Sequence, residues 1–246
     1  MKIDIVIPCA PKDTDTLGIC LKSCKRHITD EIANIFVISC NNEAIKKICE
    51  EYSAIWVDED KVLDRKLSDV IATHPTYNRW GWMYQQFLKM SGNIGECENY
   101  LVVDSDVTFT KDINFFENGN PIFYYRDDYH HPPFFNVMNK IIDIKRFYET
   151  SFVCDFMVFN RKVMSDLKKH IEEHTGENWI DAIIHRIDYS LSPFSEFETY
   201  GTFYEGEMII RKVEYKQLDY LETDLDKQEK NNPNFRAVVM PRYLRK

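Results

Sequence analysis

The chain has 246 residues, 44% of them apolar and 14% aromatic, enough for one large packed core and well outside disordered composition. A formal net charge of −9 argues against nucleic acid as a partner, since a phosphate backbone needs a basic surface. No stretch approaches the ~20 apolar residues of a membrane span, and the chain starts with a strand-like run rather than a signal peptide, so a soluble, cytoplasmic protein is expected.

The seven cysteines (Cys9, Cys20, Cys24, Cys40, Cys49, Cys97 and Cys154) are odd in number and contain no Cys-x-x-Cys pair. They read as reduced, buried thiols of an intracellular protein, with Cys20 and Cys24, one helical turn apart, as core rather than metal ligands. In chain order, Ile3–Ile7 is strand-like and stops at Pro8-Cys9-Ala10-Pro11. Leu17, Cys20, Leu21, Cys24 and Ile28 then share one helical face, with Asp13 or Thr14 as the cap. Ile35–Ser39 is a second strand. Ile45, Ile48, Cys49 and Tyr52 mark a second helix, and Ala54–Val57 is a third strand ending in Asp58-Glu59-Asp60. This alternation predicts a parallel, doubly wound sheet. The first loop lacks a Gly-x-Gly-x-x-Gly fingerprint, which excludes the usual NAD site.

Residues 61–78 carry little pattern and read as a lid or loop. Asn78–Met90 predicts a helix with Met83, Phe87 and Met90 as its core stripe. Arg79, Gln86 and Lys89 fall elsewhere on it, as a solvated basic edge or as contacts to a phosphate or hydroxyl. Tyr100–Val103 is a continuous uncharged run that ends in Asp104-Ser105-Asp106, so it predicts a strand buried on both faces of a parallel sheet. Ligands of such sheets bind beyond the carboxyl ends of the strands, where these aspartates emerge. Two hard carboxylates at i and i+2 suit Mg²⁺ or Mn²⁺; an acidic turn is the plainer alternative.

Ile122–Tyr125 predicts a fifth strand, leading into an aromatic loop from Arg126 to Phe135 that holds His130 and His131 and is stiffened by Pro132 and Pro133. Aromatic faces pack on sugars, though an ordinary loop reads equally well. Phe152–Phe159 is a sixth apolar run interrupted by Asp155, a charge that needs a partner, a metal or a site, with an edge or bulge position facing water as the alternative. Helices follow at Arg161–Thr175 and around Trp179–Ile187. Glu196 and Glu198 then sit among aromatics after Ser192-Pro193, as a general base or as acids at a helix start; in a helix at most one would face a cleft. The polar tail from Glu222 predicts a surface excursion and a docking strand at Ala237–Met240. A membrane-touching basic end at Pro241–Lys246 is the less favoured alternative.

The Ile3–Ile7 strand ending at Pro8-Cys9-Ala10, the βαβ units, and Val102-Val103-Asp104-Ser105-Asp106 together resemble a GT-A-fold glycosyltransferase. The likeness is to small bacterial and viral members that share a Trp-x-x-Gln-Gln-x-x-Lys helix, here Trp82 to Lys89, and a Glu-x-Glu-Thr-Tyr-Gly segment, here Glu196 to Gly201. It spans roughly residues 1–210. It implies an α/β, GT-A-like (Rossmann-like) single domain with a mostly parallel central sheet flanked by helices. A nucleotide-sugar-binding half (1–106) would precede an acceptor-binding half (107–215) and a C-terminal extension (216–246). It further implies metal-dependent, inverting transfer from a nucleoside-diphosphate sugar to a hydroxyl of a carbohydrate or glycan acceptor. Pro8, Cys9, Ala10, Asp58 and Ser105 would border the donor, Arg79, Gln86 and Lys89 its diphosphate, and Asp104 and Asp106 would hold Mn²⁺ or Mg²⁺. Glu196 and Glu198 rank ahead of Asp155 as the base. A late histidine that serves many relatives as a further ligand has no counterpart after His185.

Two rival readings are set beside this one. Asp104-Ser105-Asp106-Val107-Thr108 also matches the Asp-x-Asp-x-Thr motif of haloacid-dehalogenase-like phosphatases, with Asp104 as nucleophile and Asp127-Asp128 imitating their later acidic motif. The preceding strand–helix units and the early second motif weigh against it. The other is a non-catalytic module that binds a sugar nucleotide.

Overall fold

The computed structural model describes residues 1–127, 131–190 and 192–245. The first half alternates as the sequence predicts: β1 (Lys2–Pro8), α1 (Thr14–His27), β2 (Glu31–Ser39), α2 (Glu43–Glu51), β3 (Ile55–Asp58). Next come α3 (Leu67–Thr73), α4 (Trp80–Lys89), β4 (Asn99–Val103), β5 (Val107–Phe109), β6 (Phe116–Glu117) and β7 (Asn120–Tyr125). The remainder is α5 (Pro132–Ile142), β8 (Phe156–Asn160), α6 (Arg161–Thr175), α7 (Trp179–Ile184), α8 (Glu196–Phe203), β9 (Ile209–Lys212), β10 (Tyr215–Gln217), α9 (Leu225–Asn231) and β11 (Ala237–Val239).

The central sheet has the order β3-β2-β1-β4-β8, with all neighbours parallel except β8, which runs antiparallel to β4. The uncharged run of β4 is buried throughout, as a strand covered on both faces must be. Two three-stranded sheets, β10-β11-β5 and β6-β7-β9, extend the second half. The result is a single mixed α/β domain with a largely parallel centre flanked by helices.

The sheet end where the parallel strands begin is closed by a buried charge. Asp4 is fully buried, and its Oδ2 accepts from the Glu96 and Cys97 amides, both at 2.8 Å, and from Arg161 Nη2 at 3.1 Å. Arg161 also donates to the carbonyls of Gly92 (2.7 Å), Cys97 (2.5 Å) and Ile94. The loop between them needs glycine at 95: φ is +79°, and a Cβ there would stand 2.2 Å from Asp4 Oδ2.

Several expectations are corrected. Residues 61–78 are not a patternless lid, because they contain α3. Asp13 is the residue before α1, yet no side chain caps that helix. Pro132 and Pro133 do not stiffen a loop. They occupy the first turn of α5, where the missing N–H groups cost nothing, and Phe134, Val137, Met138 and Ile141 form its buried stripe. Residues 128–130 of that predicted loop, His130 among them, lie outside the described residues. β7 joins β6 and β9 rather than the central sheet. In the run 152–159 only the part from Phe156 is strand, since Asp155 has φ +63° and breaks the extended path. The polar excursion before the docking strand holds α9, capped by Asp224. All seven cysteines are free, five buried and Cys40 and Cys97 half-buried. Among the described residues no helix is long and apolar enough to cross a membrane.

Candidate active site

A cleft of about 1090 Å³ opens where β1 and β4 end. Its lining includes Pro8, Cys9, Ala10, Arg79, Gln86, Lys89, Asp104, Ser105, Asp106, Asp155 and Glu196. Eleven of the thirteen residues singled out in the sequence therefore share one cavity. Asp58 and Glu198 do not line it. The Asp58 side chain turns back to accept from the Asp60 amide at 3.2 Å, and its neighbour Glu59 lines the cleft instead. Glu198 lies two residues along α8 from Glu196, ~200° round the helix, and there its Oε1 accepts from the Ser151 hydroxyl at 2.5 Å.

The floor is set by a short turn. The Asp104 amide donates to the Asp155 carbonyl at 2.9 Å, and the Val107 amide to the Asp104 carbonyl at 3.1 Å. The left-handed backbone at Asp155 presents that carbonyl to β4 and leaves the side chain among the cleft residues. There the Tyr215 hydroxyl donates to Asp155 Oδ2, and the Arg126 guanidinium covers the Tyr215 ring at 3.9 Å.

Lys89 is the hinge of the arrangement. Its Nζ stands 2.6 Å from Asp104 Oδ1 and 2.8 Å from Glu196 Oε1, with 2% of the lysine side chain and 1% of the glutamate exposed. It is thus buried between two carboxylates rather than on a solvated edge, because burial of a charge is sustained only by paired groups. With its nitrogen turned toward Glu196, the Gln86 amide donates to Oε1 at 2.9 Å. Gln86 and Lys89, one turn apart on α4, therefore close on the first residue of α8. Other residues of that segment support the same helix. Ser195 Oγ accepts from the Glu198 amide at 3.3 Å, and the Tyr200 hydroxyl accepts from the Asn160 amide at 2.8 Å.

The electrostatics follow from this crowding. Burial, then the Asp104 and Asp155 charges, hold the Asp106 carboxyl well above the usual aspartate range. Burial and Asp104 raise Asp155 against the pull of Tyr215, Arg126 and Lys89. Burial raises Glu196 although Lys89 opposes it. For Lys89, burial alone would release the proton, but Asp104 and Glu196 outweigh it and hold the ammonium above its ordinary value. Burial pushes the Cys9 thiol up to about 12, so it is no nucleophile at neutral pH.

The sequence reading missed Lys12, Trp82, Gln217, Arg242 and Tyr243, which also line the cleft. Trp82 belonged to the quoted helix motif; the others carried no local signal. Asp127, the second acid of a phosphatase reading, pairs with Lys212 on exposed surface and is not among the cleft residues.

Residues 1–233 match a protein family described as a family of unknown function, DUF6492. The chain belongs to that family. No curated protein matches it. Among solved structures the fold is similar to the apo form of mouse xyloside xylosyltransferase 1, with a TM-score of 0.53 over 99% of each chain and 12% sequence identity. At that identity the likeness concerns the fold, which is GT-A-like.

Proposed function

We propose that this chain transfers a glycosyl group from a nucleoside-diphosphate sugar to a hydroxyl of a carbohydrate acceptor. The observation that carries the reading is the placing of Asp104, Asp106 and Asp155 in one cleft at the carboxyl ends of β1 and β4, in a fold that a xylosyltransferase shares. Phosphorylated ligands bind at that end of such sheets. The half up to residue 106 takes the nucleotide beside Pro8, Cys9, Ala10 and Ser105, with Arg79 near the diphosphate, and the half after it takes the acceptor.

Among the described residues no three His, Cys, Asp or Glu side chains gather closely enough to hold a metal ion by themselves. Asp104 and Asp106 offer something different: a pair of hard oxygen donors on the cleft lining whose repulsion with Asp155 a cation would relieve. That fits Mn²⁺ or Mg²⁺ shared with water and phosphate oxygens. Asp104 and Asp106 would hold the ion, and its charge would stabilise the departing diphosphate. Lys89 helps to orient Asp104 for this by bonding its Oδ1, and 30% of the aspartate side chain stays exposed.

In the transfer, the acceptor oxygen bonds to the anomeric carbon while the bond from that carbon to the phosphate oxygen breaks. The acceptor proton passes to a carboxylate, and attack opposite the leaving group inverts the centre. We assign the base to Asp155. Glu196 is bonded by Lys89 and Gln86 and acts by holding Lys89, while Glu198 is turned toward Ser151. Calorimetric titration of UDP, GDP and TDP with Mn²⁺, repeated with EDTA, tests the reading. Binding of one nucleotide that vanishes with the metal is expected. Failure of all three to bind in either condition would sink it.

A further inference from the structure

Residues 234–245 lie beyond the part of the chain that matches the family, yet they complete the cleft. β11 pairs with both β5 and β10, and the Met240 amide donates to the Asp106 carbonyl at 3.0 Å. The chain then turns at Pro241 and is fastened twice. Arg242 donates to the Lys12 carbonyl, and Arg245 pairs with Asp15 at 2.6 Å. This fastening delivers Tyr243 to the cleft wall with 79% of its surface exposed, the most exposed large hydrophobic side chain among the described residues. Its hydroxyl lies against the Gln217 side chain, within electrostatic reach of Asp155 and Asp106. Gln217 Nε2 in turn donates to the Tyr215 hydroxyl at 3.5 Å, and Tyr215 donates to Asp155.

A single exposed aromatic needs no explanation on open surface, but one on the wall of a polar cleft, beside an amide and carboxylates, offers a ready contact for a ligand. Sugars suit such a face: their C–H surface packs on the ring, while their hydroxyls need the amide and carboxylate groups at its edge. We propose that Tyr243 and Gln217 form a platform for a pyranose ring, the sugar lying on the tyrosine face with a hydroxyl bonded to the Gln217 amide and its reacting side toward Asp155. The inference rests on the transferase reading for the ligand's class, and it places substrate contacts in a segment outside the family match.

The test is saturation-transfer NMR with methyl hexopyranosides and pentopyranosides on the wild type, Tyr243→Phe and Tyr243→Ala. Contact with at least one glycoside is expected in the wild type and in Tyr243→Phe, with affinity lowered about fivefold or more in Tyr243→Ala. Melting temperatures should be equal, because the side chain is exposed. Equal contact in all three proteins, or none in the wild type, overturns the platform. Titrating UDP, GDP and TDP with Mn²⁺ into the same samples separates the two readings. Glycoside contact without nucleotide binding sinks the transferase reading alone, and nucleotide binding without glycoside contact sinks the platform alone. Where an intact nucleotide sugar displaces the glycoside, the platform holds the donor's sugar; where both bind together, it holds the acceptor's.

Discussion

Lys89 and Glu196 lie 107 positions apart and meet at 2.8 Å, so the last turn of α4 and the first turn of α8 are joined beneath Asp104. A motif on each helix is explained by one contact. Removing the lysine leaves Glu196 buried and Asp104 half-buried without their common partner. Lys89→Met should lower stability by about 3–5 kcal/mol, the cost of breaking a buried pair from one side. The double variant Lys89→Met/Glu196→Gln should recover most of it. Urea denaturation decides: a double variant as unstable as the single would mean that the two side chains are not coupled.

Asp104→Asn and Asp106→Asn should each lower turnover of the nucleotide sugar by a factor of 100 or more, by roughly 3 kcal/mol in the barrier. Asp106→Asn should melt within about 4 °C of the wild type, whereas Asp104→Asn also removes a carboxylate partner of buried Lys89 and should melt lower. Full activity in both would remove the metal hypothesis.

Glu198 supplies a prediction about pH. Burial raises its carboxyl above the ordinary glutamate range, against the Ser151 hydroxyl and Arg146, and its Oε2 has no hydrogen-bond partner. The folded state thus prefers the protonated form. Its contribution is favourable below the unfolded value of about 4.3 and is lost as the pH rises from there through the higher folded value. Glu198→Gln mimics the protonated form and removes this loss. Relative to the wild type, the variant should gain stability from about pH 4 upward and keep its turnover. A stability difference that is flat with pH would show that burial does not raise the carboxyl.

Gly95 and Gly119 separate two costs of a side chain. Both have positive φ, +79° and +86°, but a Cβ at 119 meets nothing within 4 Å, whereas one at 95 collides with Asp4 and Phe36. Gly119→Ala should cost about 1 kcal/mol, the backbone penalty alone. Gly95→Ala should cost a further 1–3 kcal/mol or so by disturbing the Asp4–Arg161 contact. Equal losses in the two variants would contradict the packing around Asp4.

Much of the first half was legible because its signals are local. The alternation from Ile3 to Val57 and the uncharged run into Asp104 each depend on neighbours in sequence, and they placed the sheet and its acids. Met83, Phe87 and Met90 were readable as a core stripe for the same reason. Lys89 was not, because its burial is decided by carboxylates from β4's end and α8. The prolines at 132 and 133 were misjudged although the signal existed: Phe134, Val137, Met138 and Ile141 repeat at helical spacing behind them. Asp155 was flagged as odd within an apolar run, and a left-handed residue at the entry to β8 accounts for it. Nothing local marks Gln217 or Tyr243, which reach the cleft only through the pairing of β10 and β11.

That pairing also bears on the order in which the protein matures. A domain folding as it leaves the ribosome can assemble β1 to β4 and the Lys89 contact from segments already outside, since N-terminal parts fold first. β11 must be inserted beside β5, and it follows every other strand described above in chain order. The acids of the cleft therefore exist in the nascent chain before the wall that carries Tyr243, and a full-sized site forms only once β11 has emerged and paired.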